Sequence, residues 1–268
     1  MPDPEPPPLG EVPDVSLRVG VDLGTAYLVL AVLGQDNQPL AGEYQFAQVV
    51  RDGLVVDYLG AVDLLSEMKK RVELRLGRQL THAASGYPPG VPQVEVRATA
   101  NVLEAAGLRC TGMIGEPTAA NALLCLRDGA IVDVGGGTTG IAILQDGEVV
   151  YTADEPTGGT HFSLVIAGAH NISFEAAEEM KIKPAEQPRL FPTIRPVMEK
   201  VASIVKRHVT ASHARVESLT FVGGASAFLG MAAVIEEYTG LPTHIPERPH
   251  FVTPLGIAMH DVPLEGLD

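Results

Sequence analysis

The chain has 268 residues, 46% of them hydrophobic, enough to bury a core as one large domain or two lobes. Nineteen basic residues against 33 acidic ones give a formal charge of −14. Such a field repels phosphate backbones and anionic headgroups, which makes nucleic acid and membrane surfaces poor partners and leaves any bound nucleotide to local N–H groups and a metal.

Residues 1–16, opening with PDPEPPP, have too little apolar content to order themselves and read as a flexible acidic tail. That start is opposite in character to a secretory signal, and no apolar run approaches the roughly 18 residues of a bilayer helix, so the expected compartment is the cytoplasm. From Leu17, LRVGVDLGTAYLVLAVL alternates as two strands with Gly24 at the bend, and GQDNQP closes the second. AVDLLSEMKKRVELRL, residues 61–76, predicts an amphipathic helix ended by Gly77. HAASGYPPG follows as strand end and loop, VEVRATANVLEAAG as a helix and CTGMI as a short strand; a glycine-proline turn then opens the helix TAANALLCL. Cys110 and Cys125 within this region lack metal-ligand spacing and read as inert thiols.

IVDVGGGTTGIAIL, residues 131–144, then repeats the strand, glycine turn and strand of the first segment. DEPTGGTHFSLVIAGAHNI predicts a loop entering a helix, and FEAAEEMK another helix. The stretch from Lys181 to Pro196 contains four prolines and is expected to be connective, ahead of the long helix VMEKVASIVKRHV. SLTFVGGASAFLGMAAVIEEYTG gives strand, glycine turn and helix, and TPLGIAMH is the last element. Strands and helices mix throughout, which places the chain in the α/β class.

The internal echo sets the architecture. Asp22-Leu-Gly24-Thr25 and Asp133-Val-Gly135-Gly136-Gly137-Thr138 each lie between two strands, and each second strand runs into a Gln-Asp turn, at Gln35 and Gln145. The match suggests a duplicated lobe with a cleft between the copies. Glycine lets a phosphate approach backbone N–H groups without a Cβ in the way, Thr25, Thr138 and Thr139 add hydroxyl donors, and each aspartate places a hard oxygen where magnesium would bridge to phosphates. Gly135-x-Gly137-x-x-Gly140 formally matches a dinucleotide fingerprint, but IAILQDGEVV continues as a hairpin and not as the helix which that motif requires. The plain alternative is two ordinary β-hairpins with acidic turns.

Five segments in order resemble the actin, sugar-kinase and heat-shock-chaperone ATPase superfamily. VDLGTAYLVLAV is similar to its first phosphate loop, VDVGGGTTGIAI to the second, GEPTAAN (115–121) to the first connecting helix, FVGGASAF (221–228) to the adenosine loop and TPLGIAMHD to the second connecting helix. DEPTGGTHFSLVIAGAHNIS is similar to a short chaperone-like branch that serves ethanolamine utilisation, and the likeness runs from about residue 17 to 262. The resemblance implies duplicated ribonuclease-H-like domains with an interdomain nucleotide cleft and reduced outer subdomains: residues 17–118 as lobe I, joined by 252–268 returning as the second connecting helix, and 119–251 as lobe II. It implies ATP or ADP with magnesium. Asp22 and Asp133 would hold the metal through water, while Gly24, Thr25, Ala26, Tyr27, Gly135, Gly136, Gly137, Thr138, Thr139, Gly158, Gly159 and Thr160 would surround the phosphates.

By the same resemblance Glu116 lies near the metal's water shell, and Glu95, in PPGVPQVEVRA, faces the attacking water; a helix-start carboxylate is the alternative for both. Glu178 and Lys181 would contact the ribose, with a surface ion pair as the alternative, and Gly223, Gly224, Ala225 and Ser226 would approach the adenosine. Ala119, Ala120, Gly256 and Ala258 suit two helices crossing closely. His161 and Ser163 depart from the acidic residues of the chaperones, no peptide-binding domain follows TPLGIAMHD, and Lys69 and Lys70 stand in no recognisable catalytic-lysine motif. The expectation is an ATP-driven conformational switch with slow hydrolysis acting on a protein client or metabolic enzyme, with ethanolamine ammonia-lyase and bacterial microcompartment components as candidates. A nucleotide-binding adaptor without turnover and a small-molecule kinase are the alternatives.

Overall fold

The computed structural model describes residues 16–51 and 54–262; the tail expected over residues 1–16 lies outside the described residues except for Ser16, as do residues 263–268. The first half runs β1 (Arg18–Leu23), β2 (Tyr27–Leu33), β3 (Pro39–Phe46), β4 (Val50–Arg51), β5 (Leu54–Val55), α1 (Tyr58–Leu76), β6 (His82–Tyr87), α2 (Gln93–Ala105) and β7 (Arg109–Gly115). After α3 (Glu116–Leu124), the second half runs β8 (Gly129–Val134), β9 (Thr139–Gln145), β10 (Glu148–Glu155), α4 (Gly159–His170), α5 (Phe174–Lys181), α6 (Gln187–Ala211), β11 (Leu219–Val222), α7 (Met231–Thr239) and β12 (Thr243–His244). The chain then returns through α8 (Val252–Met259).

The repetition is exact in strand order. One sheet reads β3-β2-β1-β6-β7 and the other β10-β9-β8-β11-β12, each an antiparallel meander of three strands extended by two parallel ones. The two Gln-Asp turns also match, since Asp36 and Asp146 both adopt the left-handed backbone, at φ 62° and 53°, which a short polar side chain tolerates. Strand β3 is not foreseen in the sequence; its glycine and polar residues dilute the alternation.

Each sheet buries its own core. Helix α1 is capped by Asp57, which accepts from Gly60 N at 2.9 Å, is ended by Gly77 at φ 63°, and lays Ala61, Leu65, Met68, Val72 and Leu76 on the first sheet. On the second, α6 buries Leu190, Ile194, Met198, Val201, Ala202 and Val205. This corrects the connective reading of Lys181 to Pro196. Pro188 occupies the first turn, where its missing N–H costs nothing. Pro192 and Pro196 fall one turn apart on the exposed face, where water can satisfy the carbonyls they leave unpaired. The apolar stripe outweighs them. Helix α3 likewise starts earlier than TAAN, at Glu116, with Pro117 in its first turn.

The halves are joined by α3 and α8. These cross so closely that a Cβ on Gly256 would lie 1.8 Å from Ala119 O. Beyond α8, the carboxylate of Asp261 accepts from Val19 N at 2.7 Å and from Thr111 Oγ1, binding the returning chain to the first sheet. Among the described residues no helix is long and apolar enough to cross a membrane.

Candidate functional site

Asp22 and Asp133 are the penultimate residues of equivalent strands, β1 and β8, and line the same cleft between the sheets. The turn after each is closed the same way: Gly24 N donates to Tyr27 O at 3.1 Å, and Gly135 N donates to Thr138 O at 3.0 Å. The turns touch. A Cβ on Gly136 would stand 2.3 Å from Ala26 Cβ, and one on Gly137 2.7 Å from Thr25 Cγ2, so only glycine permits the approach. Behind the second turn, Gly159 N and Thr160 N donate to Gly135 O and Gly136 O, each at 2.8 Å, while a Cβ on Gly158 would meet Gly136 O at 2.7 Å. The start of α4 thereby fixes the glycine turn.

The carboxyl groups here are electrostatically frustrated. Burial, and then the charge of Asp133, pushes the Asp22 pKa up to about 7. Burial raises Asp133 as well, against a 2.8 Å hydrogen bond from Thr253 Oγ1 to its Oδ2. Glu116, first residue of α3, is pushed well above the usual carboxylate range by burial and then by Asp22, Asp133 and Asp154. A cavity of about 80 Å³ is bordered by Asp22, Asp133 and Glu116, and among the described residues no lysine or arginine lines it. Crowded carboxyls without a cationic side chain are what a divalent cation relieves. No three His, Cys, Asp or Glu side chains among the described residues are placed to ligate an ion directly, so the fit is to a cation that keeps its own waters, as magnesium does.

A second cavity, of about 260 Å³, shares Asp22, Gly24, Thr25, Asp133, Gly135 and Gly136 with the first and extends away to Gly223, Gly224 and Ala225. On its wall Lys181 Nζ lies 2.7 Å from Glu178 Oε2 and donates to Gly159 O at 3.1 Å. The carboxylate of Glu178 also accepts from Ser163 Oγ at 2.5 Å and from Tyr27 OH at 2.9 Å. The last bond spans the cleft, from the first sheet to α5. Burial, followed by the charge of Glu178, raises the Tyr27 pKa; burial lowers that of Lys181, with Glu178 opposing it.

The structure therefore gathers Asp22, Gly24, Thr25, Ala26, Tyr27, Glu116, Asp133, Gly135, Gly136, Gly137, Thr138, Gly159, Glu178, Lys181, Gly223, Gly224 and Ala225 around two joined cavities. It leaves others aside. Thr139 turns its hydroxyl to Thr157 O at 2.5 Å and Ser226 to Val222 O at 2.6 Å; Gly158 and Thr160 support the loop from behind. Glu95 is half-exposed on the first turn of α2 and borders neither cavity, whereas Val91, Val96 and Thr99 around it do. Lys69 pairs with Glu73 at 3.0 Å and Lys70 is exposed. His161 Nδ1 accepts from Gly158 N at 3.3 Å. Sequence reasoning missed Tyr44, Ile182, Gln187, Phe228, His250 and Thr253, all of which line the larger cavity.

Two family models match the chain: "Type IV pilus assembly protein PilM" over residues 118–253 and "MreB/Mbl protein" over residues 41–185. The ethanolamine utilization protein EutJ of Escherichia coli strain K12 is 43% identical over 243 residues, covering 90% of this chain and 85% of its own length. The chain belongs to the EutJ family. The crystal structure of EutJ from Carboxydothermus hydrogenoformans superposes with a TM-score of 0.89 at 43% identity, over 94% of this chain and 92% of that one. MreB5 of Spiroplasma citri bound to ADP shares the fold, with a TM-score of 0.71 at 19% identity over 92% and 96% of the two chains. The architecture is thus the duplicated α/β fold of the actin-like ATPases, as the five sequence segments imply.

Proposed function

We propose that this EutJ-family chain binds ATP with magnesium between its halves, hydrolyses it slowly, and uses the change in closure to act on a protein partner in ethanolamine utilisation. One observation carries the reading: two equivalent glycine turns meet over a pair of equivalent, half-buried aspartates that line the smaller cavity, where among the described residues no lysine or arginine stands beside them. The binding of ADP by an MreB relative of the same fold supports the nucleotide.

In this reading Thr25, Thr138 and the N–H groups of the two turns take the phosphates, while Asp22 and Asp133 hold magnesium through water. Glu178 and Lys181 lie at the ribose, and Gly223, Gly224 and Ala225 at the base. Bound magnesium would neutralise charge on the terminal phosphate. Glu116, which borders the smaller cavity, orients the attacking water. Residues 17–118 with the chain from 252 onward move as one body against 119–251, about the α3–α8 crossing. The partner is a metabolic enzyme such as ethanolamine ammonia-lyase or a microcompartment component.

Hydrolysis by the wild type and by Asp22→Ala, Asp133→Ala, Glu116→Gln and Glu95→Ala tests this. Loss of a working carboxylate lowers turnover on the order of 10²-fold. The position of Glu95 outside the cavities favours a second reading, an adaptor that binds nucleotide without turning it over. Identical trace hydrolysis in all five proteins, with ATP binding retained in the wild type, would select it. Proteins that copurify in ATP but not in ADP would identify the partner.

A further inference from the structure

Tyr151, Glu155 and His208 border neither cavity, yet their side chains form a continuous chain. Tyr151 and Glu155 stand on the edge strand β10, and His208 on the last turn of α6. The His208 ring lies between the other two, with Nδ1 2.7 Å from Tyr151 OH and Nε2 2.8 Å from Glu155 Oε1. A carboxylate only accepts, so Nε2 carries the ring proton and Nδ1 accepts from the tyrosine. The hydrogen bond from His208, joined by Arg207 and opposed by burial, holds the Glu155 carboxyl below the usual carboxylate range and keeps it an acceptor. With both nitrogens engaged the ring cannot turn without losing a bond, and the end of β10 is pinned to a helix of 25 residues.

Glu155 is the last strand residue before the loop that braces the second glycine turn. Thr157 N donates to Glu155 O at 2.7 Å, Thr157 O accepts from Thr139 Oγ1, and Gly159 N and Thr160 N hold Gly135 O and Gly136 O. Glu155 also pairs with Thr139 in the ladder between β9 and β10. That ladder moves with the turn, because β9 begins at Thr139, directly after it. The bond to His208 instead refers the brace to a helix packed in the second core. We propose that His208 is a positioning residue: through Glu155 it fixes the loop at 156–160, and through that loop the shape in which the turn at 135–138 receives a phosphate. This rests on the nucleotide reading of the site and deepens it.

Amide hydrogen exchange of the nucleotide-free protein and calorimetric titration with MgATP, both on the full chain, test the role with His208→Leu, Glu155→Leu and Glu155→Gln. Either leucine cuts the link, whereas glutamine keeps an acceptor for the Nε2 proton. Both leucine variants are expected to speed exchange over residues 135–160 by about fivefold or more, leave it unchanged at residues 24–27 in the first turn, and weaken MgATP by about 10-fold. Glu155→Gln should stay within about threefold of wild type in both measurements, and the double leucine variant should bind no more weakly than the weaker single one, since both changes cut the same link. Wild-type exchange at 135–160 in both leucine variants overturns the proposal. So does faster exchange spread evenly over both sheets, faster local exchange with wild-type affinity, or a Glu155→Gln as impaired as Glu155→Leu. Absence of MgATP binding by the wild type overturns the nucleotide reading and this role with it; exchange that still rises only at 135–160 would then show the brace without the ligand and so separate the two failures. If His208→Leu does not fold, Glu155→Leu decides, at a side chain that is 27% exposed.

Discussion

Replacing Gly136 by alanine sets the contact between the two glycine turns against the space it leaves. The added methyl would lie 2.3 Å from Ala26 Cβ and 2.8 Å from Ala26 N, whereas carbon atoms in contact sit about 3.5–4.0 Å apart, so the turns must part by roughly 1 Å or more. Overpacking of this kind costs about 1–3 kcal/mol, which for a chain of this size lowers the nucleotide-free Tm by about 2–10 °C. Parting also withdraws one turn's N–H groups from the phosphates. Losing two charge-assisted hydrogen bonds, at about 1.5–3 kcal/mol each, weakens MgATP binding at least about 100-fold. Gly135→Ala is the control, because its methyl has nothing nearer than Thr138 O at 3.7 Å. It should leave Tm within about 2 °C yet still weaken MgATP, since Gly135 borders both cavities. Differential scanning fluorimetry without nucleotide and calorimetric titration with MgATP read the two effects separately. Gly136→Ala with wild-type Tm and wild-type affinity would refute the closed contact and the clamp built on it.

The raised pKa of Asp22 predicts an unusual pH dependence. Because its folded pKa, about 7, exceeds the reference value of 3.8, its contribution is complete at low pH and is lost as pH rises through about 7; nucleotide-free stability should fall by about 2–3 kcal/mol between roughly pH 5 and 7.5. Chemical denaturation at the two pH values checks this, and an equal slope in Asp22→Asn would exclude Asp22 as its source. Tyr27→Phe removes the bond across the cleft to Glu178, worth about 1.5–3 kcal/mol as a hydrogen bond to a charged group. Stopped-flow release of a fluorescent ATP analogue should be faster than wild type, and an unchanged rate would show that the bond does not gate the cavity. Pro192→Ala restores a backbone N–H on the exposed face of α6 and should stabilise the chain by about 1–3 kcal/mol in urea titrations; destabilisation would indicate that the proline itself is required at this position.

The fold was legible wherever a single local rule decided the backbone. Gly77 ends α1 because the left-handed backbone at φ 63° favours glycine, and the Asp146-Gly147 pair, both at positive φ, makes the hairpin that excludes the dinucleotide fingerprint. Legibility failed where two rules competed. In α6, proline at positions 188, 192 and 196 argued for a loop, while Leu190, Ile194, Met198, Val201 and Val205 recurred at helical spacing. The one-turn spacing of the prolines was itself the missed signal: it confines every lost hydrogen bond to one face, and that face is exposed. Ile182 and Gln187, which line the larger cavity, both fall in that proline-containing stretch.

Side-chain chemistry at the site was legible to the extent that backbone turns delivered it. Asp22 and Asp133 stand in the same place on repeated strands, so recognising one turn located the other, and the two half-sites could be paired without knowing how the sheets meet. Glu95 shows the opposite case. A carboxylate on the first turn of α2 is one of several residues on an amphipathic surface, and rotation of the helix turns Val96 and Thr99 toward the cavity in its stead. Tyr27 and Glu178 are 151 positions apart; alone, one is a strand tyrosine and the other a helix glutamate beside a lysine. Their bond exists because α3 and α8 cross at Ala119 and Gly256 closely enough to bring the sheets together. A larger residue at Gly256 would therefore act on a hydrogen bond it does not touch, by changing the distance between the halves that share it.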